Sequence, residues 1–287
     1  MPSVLQHAAA ALFSTAVFRP LLAGEGNLRA VRATSRLRRG LSLPNSSTNS
    51  DVVATAYDYL RTSYRSEYYY RNLLVSKLFV GRHRASRAVL LNEFHVGTSV
   101  ADCVLVNGRG LVYEIKTEYD SPDKLAGQVA NYHRAFPLVN VVTHVSQASK
   151  YERLLEGTPV GLYAVGRRGT LSCVKETKAF YDHLDVKTMF NTLRQSEITS
   201  ILRRYHGETP VVPNGIRYAT QLSLARQIPP MEFQQDMLAV LKGRELAHSR
   251  DLVLRRELAP LRALLVQLDP DQYGRANLVR WLKDEEN

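Results

Sequence analysis

The sequence predicts an α/β protein, a sandwich with a mixed central sheet flanked by helices, followed by a helical C-terminal region. Three observations predict it. Between residues 64 and 177, segments with apolar residues at helical spacing give way to short β-branched apolar runs. Their order is helix, three strands, helix, strand, helix, strands, the layout of an α/β sandwich with a mixed sheet. Beyond residue 177 the apolar period is helical again.

Each element has a local cause. LSLPNSSTNSD, residues 41–51, is a polar linker that ends where Ser50 or Asp51 can cap a helix running to about Tyr64. RSEYYYRNLLVSKLFVG reads as a second helix stopped at Gly81. RAVLLNEFHV and SVADCVLV, separated by GTS, read as an antiparallel hairpin, and NGRG turns the chain into a third strand, LVYEIKTE. Ser121, Pro122 and Asp123 then supply a capping hydroxyl, a first-turn proline and a carboxylate suited to the helix dipole, so a helix is expected to about Phe136. LVNVVTHV is a fourth strand, SKYERLLEG a short helix, and VGLYAV with TLSCVKE a final strand pair. Later helical segments are punctuated by Pro210, Pro213, Pro229 and Pro230. The expected divisions are a basic extension and linker over 1–50, the α/β domain over 51–176 and a helical region over 177–287.

Composition narrows the function. A chain of 287 residues with 45% hydrophobic content can build a substantial core, which excludes a disordered protein. Its formal charge of +11 suits a polyanionic partner, nucleic acid first and an acidic membrane surface second. Residues 1–50 carry Arg19, Arg29, Arg32, Arg36, Arg38 and Arg39 against Glu25 alone, so nearly half of that excess sits in what reads as a short helix and a solvated arm able to contact phosphates. Cys103 and Cys173 form neither a paired-thiol motif nor a disulfide framework, which fits a reducing cytoplasm. No apolar run reaches the ~18 residues of a membrane span, so no membrane partner is expected. HAAAALFSTAVF lacks the basic lead and cleavage site of a secretory signal, although the arginine-rich, acid-poor start shares its pattern with mitochondrial transit peptides.

Charged residues inside apolar strands carry the chemistry. Glu114 and Lys116 lie two apart on a strand and so share a face. The NGRG turn folds the preceding strand back and brings Asp102 beside Glu114. Two adjacent carboxylates repel unless a divalent cation neutralises them, and hard oxygen donors at a strand end select Mg²⁺ or Mn²⁺. A lysine beside them can orient water and stabilise charge on a phosphoryl group.

In this setting (an apolar-flanked Asp, a turn, a strand ending in Glu-Ile-Lys, then a helix) residues 64–145 resemble the PD-(D/E)xK nuclease superfamily. Residues 60–165 further resemble a little-characterised bacterial and phage group assigned to it. The resemblance implies a restriction-endonuclease-like fold and a metal-dependent hydrolysis of phosphodiester bonds, most naturally in DNA. By position, Asp102 and Glu114 would be metal ligands, the Ile115 carbonyl a third, and Lys116 the catalytic lysine. Glu67 occupies the place of a first-helix glutamate that several branches add as a ligand. QVANY is similar to the Gln-x-x-x-Tyr element of the RecB-like branch, which implies that Gln128 and Tyr132 approach the active site and the nucleic acid. The sequence departs from the plain pattern in having Val100 and Ala101, with no proline, before Asp102.

Each residue also has a plainer reading. Asp102, Glu114 and Lys116 could form a structural ion-pair network, and Glu67 could pair with Arg71 one helical turn on. Glu93 reads as a rim residue, Gln128 as a surface amide and Tyr132 as a packed aromatic. GRHRASR, with Arg82, Arg84 and Arg87, is either a phosphate-contacting loop or a solvated turn. The leading expectation is a Mg²⁺-dependent deoxyribonuclease in the cytoplasm, with the C-terminal helices serving a homo-oligomer or a regulatory partner. The rivals are an inactive nucleic-acid-binding or assembly module and a phage-defence or toxin-like effector nuclease.

Overall fold

The computed structural model of the protein describes residues 3–25, 27–82, 88–208, 210 and 212–284. The chain runs through α1 (Val4–Leu12), α2 (Thr15–Leu22), α3 (Leu28–Gly40), α4 (Asn49–Ser63) and α5 (Glu67–Leu74) into a π-helical stretch, Val75–Arg82. Next come β1 (Val89–Val96), β2 (Ser99–Val106), β3 (Gly110–Lys116), α6 (Leu125–His133), β4 (Leu138–His144), α7 (Ala148–Leu154), β5 (Gly161–Val165) and β6 (Leu171–Lys175). The chain closes with α8 (Val186–Asn191), α9 (Gln195–His206), α10 (Asn214–Ala225), α11 (Pro230–Lys242), α12 (Arg250–Leu254), α13 (Arg262–Leu268) and α14 (Gln272–Lys283).

The α/β class and the helical C-terminal region are as the sequence predicts. One six-stranded sheet runs in the order β1 to β6. Neighbours joined by tight turns, β1–β2, β2–β3 and β5–β6, are antiparallel. Those joined through a helix, β3–β4 across α6 and β4–β5 across α7, are parallel, because a parallel return needs a crossover. Gly97, with φ +61°, makes the β1–β2 turn. A Cβ there would meet the Asn131 side chain at 2.9 Å as well as sit in the left-handed region.

The chain divides into two units: Met1–Ala85 with Arg167–Gly169 and Leu246–Asn287, and Ser86–Gly166 with Thr170–Glu245. The sheet unit packs Val104, Val106 and Val112 from one sheet face against Leu125, Tyr132 and Phe136 on and just after α6. Phe190, Leu202, Phe233 and Met237 from α8, α9 and α11 join the same core. The helical unit packs α1 to α5 with α12 to α14.

Several local expectations change. Sequence boundaries near residues 50 and 176 do not coincide with this division, because α8 to α11 complete the core under the sheet while α12 to α14 join the N-terminal helices. Residues 1–50 are not a solvated arm: Leu12 and Leu37 are fully buried, as are Val52 and Leu60 of α4. Arg38, only 3% exposed, donates from Nη2 to the Ser47 carbonyl (3.0 Å) and Asn49 Oδ1 (2.8 Å). Asn49 in turn donates through Nδ2 to the Trp281 carbonyl at 2.9 Å, tying α3 and α4 to α14. Thr48, rather than Ser50 or Asp51, caps α4, through a reciprocal capping box with Asp51. Ser121 accepts only from Asp123 N (3.3 Å) in a turn, and α6 starts later, at Leu125, with no side-chain cap. The helix expected to stop at Gly81 changes from α to π winding after Leu74.

Arg38 and Arg39 are adjacent in sequence and opposite in environment, which makes a direct test of this packing. Arg38→Ala leaves a buried carbonyl and amide without their donors and should lower unfolding free energy by about 2–4 kcal/mol. Arg39→Ala, at an exposed position, should change it by less than about 0.5 kcal/mol. Urea denaturation of the two variants measures both.

Candidate active site on strands β2 and β3

The site lies beside one residue of unusual backbone conformation. The β1–β2 ladder pairs Asn92 with Cys103 and Phe94 with Ala101, and Glu93, at the rung between them opposite Asp102, has φ +52°. A non-glycine residue in the left-handed region within a strand twists the ladder at that rung. On the other side the β2–β3 register runs from Val106↔Gly110 to Cys103↔Tyr113, so Asp102 lies beside Glu114 just past the last rung. There the Asp102 side chain takes over the backbone's part: Oδ2 accepts the Ile115 N–H at 2.7 Å. The sequence expectation that Asp102 and Glu114 would be neighbours is met by the register and by this bond.

Along this face the character of the strands changes from apolar to charged. Val104, Val106 and Val112 are fully or almost fully buried, and Glu114 and Lys116, next on the same face, are 2% and 7% exposed. Burying such a pair is costly unless geometry and further hydrogen bonds compensate, and here they do. Lys116 Nζ donates to Glu114 Oε1 at 2.9 Å and to Gln128 Oε1 at 2.8 Å. Gln128 Nε2 donates to the same Glu114 Oε1 at 2.6 Å. The Tyr132 hydroxyl donates to Glu114 Oε2 at 2.7 Å and lies 2.9 Å from the Val100 carbonyl as a second acceptor. Both carboxylate oxygens are therefore engaged.

Helix α6 supplies two of these groups because Leu125, Gln128 and Tyr132 follow helical spacing on its sheet-facing side. Leu125 is in the core, and the two polar residues beyond it meet the charged end of β3. Burial, then the negative charge of Glu114, holds the Tyr132 phenol protonated far above its ordinary range. Thr143, directly opposite Lys116 in the parallel β3–β4 register, donates from Oγ1 to the Lys116 carbonyl at 2.8 Å and fixes the backbone that carries the lysine. Sequence reasoning missed Thr143 because only the strand pairing brings it near. It also missed Asp120, whose Oδ2 accepts the Thr117 N–H at 2.8 Å and closes the chain just after the lysine.

The other expected site residues fall out as follows. Glu67 belongs to the helical unit and pairs with Arg71 one turn along α5. Tyr132 is fully buried, so its hydroxyl orients Glu114 and its ring is core, leaving no surface for a nucleic acid. Gln128 is partly exposed beside the Lys116 ammonium. Arg84 and Arg87 lie outside the described residues, and so does the side chain of Arg82. Among the described residues, no three His, Cys, Asp or Glu side chains converge on one point. Asp102 and Glu114 lie side by side on adjacent strands, and Asp102 is bonded to the N–H of Ile115, the residue after Glu114.

Fold and site together define an α/β protein whose mixed sheet holds a buried carboxylate–ammonium pair fixed by a helix. Residues 61–263, more than half of the chain, match the family described as Bacteriophage P4 protein cII, and the chain belongs to that family. Among curated proteins none is similar enough to match. Among solved structures, a Silicibacter pomeroyi protein of unknown function aligns with 46% of this chain and 90% of its own at 15% identity, with a TM-score of 0.30.

The buried phenol sets a pH dependence. With its folded pKa raised above the unfolded value near 10, Tyr132 is protonated in both states below that pH and adds no slope there. Above it the unfolded chain ionises while the folded one does not, so this stabilisation is lost as pH rises, at about 1.4 kcal/mol per pH unit. Tyr132→Phe should remove about that much from the alkaline slope of unfolding free energy. Chemical denaturation between pH 9 and about 11 measures it, and an unaltered slope would mean that the phenol ionises in the folded protein.

Proposed function

We propose that this protein is a metal-dependent nuclease that hydrolyses phosphodiester bonds, in DNA first, with the site on β2 and β3 as its catalytic centre. The observation that carries the reading is the buried Glu114–Lys116 pair with Asp102 alongside. A charged pair that is merely structural has no need of a third charge beside it on the next strand, whereas phosphodiester hydrolysis uses all three. The layout supports the likeness of residues 64–145 to PD-(D/E)xK nucleases, and a chain whose two cysteines, Cys103 and Cys173, form no paired-thiol motif suits the cytoplasmic location that goes with it.

The donor set fits a hard divalent cation. Asp102 and Glu114 offer carboxylate oxygens from adjacent strands, and Ile115, whose N–H is bonded to Asp102, would add the main-chain carbonyl that the family resemblance implies as a third ligand. Mg²⁺ or Mn²⁺ held there would lower the pKa of a bound water and offset charge on the phosphoryl group. Lys116 supplies what the carboxylates cannot. Its ammonium, held by Glu114 Oε1 and Gln128 Oε1, is a compact charge fixed before substrate arrives. It stabilises the negative charge that grows on the phosphoryl oxygens as water adds to phosphorus and the ester oxygen leaves. Tyr132, kept neutral, holds the second Glu114 oxygen in place without adding charge.

A second reading rests on a specific observation: both Glu114 oxygens already accept hydrogen bonds, and no third acidic or imidazole group joins them among the described residues. Those features suit a nucleic-acid-binding or assembly module that keeps the network for rigidity without turnover.

Incubating the protein with linear, circular and single-stranded DNA in Mg²⁺, Mn²⁺ or chelator separates the two. The nuclease should cut with metal only. Asp102→Asn and Glu114→Gln should each abolish cutting while circular dichroism shows an intact fold. Lys116→Ala should lower the rate by about two to three orders of magnitude, the scale for one preorganised electrostatic contact. Lys116→Arg should recover little, because a planar fork does not replace a point charge. Wild-type protein that binds DNA but cuts none with either metal would establish the binding module instead.

A further inference from the structure

We propose that the outward face of α3 is a docking ridge for the sugar-phosphate backbone of nucleic acid, made by Arg29, Arg32, Arg36 and Arg39. The proposal deepens the nuclease reading by naming a surface that holds the substrate, and it rests on that reading only for the choice of polyanion.

The geometry of one helix carries it. Ala30, Thr34, Leu37 and Arg38 form the buried side of α3. Arg29, Arg32, Arg36 and Arg39 are all exposed, and their spacing of three, four and three residues places them within about 80° of one another on the opposite side. Their row is about 15 Å long. A DNA strand carries one phosphate per 3.4 Å of duplex axis, so about four phosphates per strand pass over such a row. No acidic residue lies between Asn27 and Ser50, and among the described residues none of the four guanidiniums makes an ion pair. This separates the ridge from arginines the fold uses for itself: Arg38 is buried on backbone and amide oxygens, and Arg244 is paired with Glu197 at 2.5 Å.

The helix is also rigid enough to present such a row. Asn27 caps its start, accepting the N–H groups of Arg29 and Ala30 at 3.1 Å each, and Arg38 fastens its end. Four like charges along one face repel one another, and among the described residues no acidic side chain pairs with them, whereas four phosphates would offset that repulsion. Guanidinium matches phosphate by bidentate hydrogen bonding, and such contacts fix position without reading sequence.

The test is binding in chelator, where no cleavage occurs, of a fluorescent 20-base-pair duplex of arbitrary sequence by the full chain, measured by anisotropy against salt. Replacing all four arginines by alanine should reduce the log–log salt slope by about 3 to 4 and weaken binding about tenfold or more at 0.15 M salt. The pair Arg32→Ala and Arg36→Ala should give about half of that slope change, and four lysines in place of the arginines should keep most of the binding. Removing four exposed charges elsewhere (Lys187, Arg203, Arg217 and Arg226) should cost much less.

Equal losses in the two quadruple variants would show that affinity follows net charge and would overturn the ridge. So would an unchanged slope in a folded variant, or ridge-dependent binding to phosphatidylserine vesicles with none to the duplex. The outcome is distinguishable from that of the nuclease reading. Ridge-dependent binding by a protein that never cuts would leave the ridge standing, and metal-dependent cutting with ridge-independent binding would remove the ridge alone.

Discussion

The burial of the Glu114 carboxylate is the constraint from which the site's arrangement follows. A carboxylate that is 2% exposed would cost several kcal/mol by itself. Lys116, Gln128 and Tyr132 converge on it because an ion pair with both oxygens hydrogen-bonded is the condition under which a charge there is tolerable. That requirement sets the placement of α6, whose Gln128 and Tyr132 must face the end of β3. It also sets the placement of β4, where Thr143 secures the Lys116 main chain.

The topology makes this convergence possible. The β2–β3 hairpin gives Asp102 and Glu114 a common face, and the crossover through α6 returns the chain to a parallel β4 with the helix lying over that face. The backbone is unusual at one rung. Glu93 adopts a positive φ on one side of Asp102, and on the other the Asp102 carboxylate accepts from Ile115 N. Backbone strain of this kind persists where surrounding structure imposes it, and here it coincides with the carboxylate side of the site.

Much of this was legible in the sequence, and the reasons differ by residue. Strand and helix order from residue 64 follows from apolar periodicity, and the common face of Glu114 and Lys116 follows from the two-residue repeat of a strand. Asp102 needed only a tight turn to be placed. Gln128 and Tyr132 were tied to the site by resemblance, but the full burial of Tyr132, which makes it an orienting group and not a surface one, depends on how α6 docks. Thr143 and the distortion at Glu93 were invisible because both arise from strand pairing. The expectation of a solvated N-terminal arm fails for a related reason. Six arginines against one glutamate look like a solvated segment until Leu12, Leu37 and Arg38 are seen to be buried. Charge totals do not say which arginines point outward; helical phase does.

The central claim is that Asp102 and Glu114 form one preorganised cation site. Electron paramagnetic resonance of the protein titrated with Mn²⁺ tests it most directly, because it reads binding without substrate or turnover. The arrangement predicts a single saturable Mn²⁺ per chain in the wild type, displaced by excess Mg²⁺ and lost in Asp102→Asn with the fold intact. No saturable Mn²⁺ in the wild type, or the same binding in Asp102→Asn, would contradict it and leave the Glu114 network as a structural one.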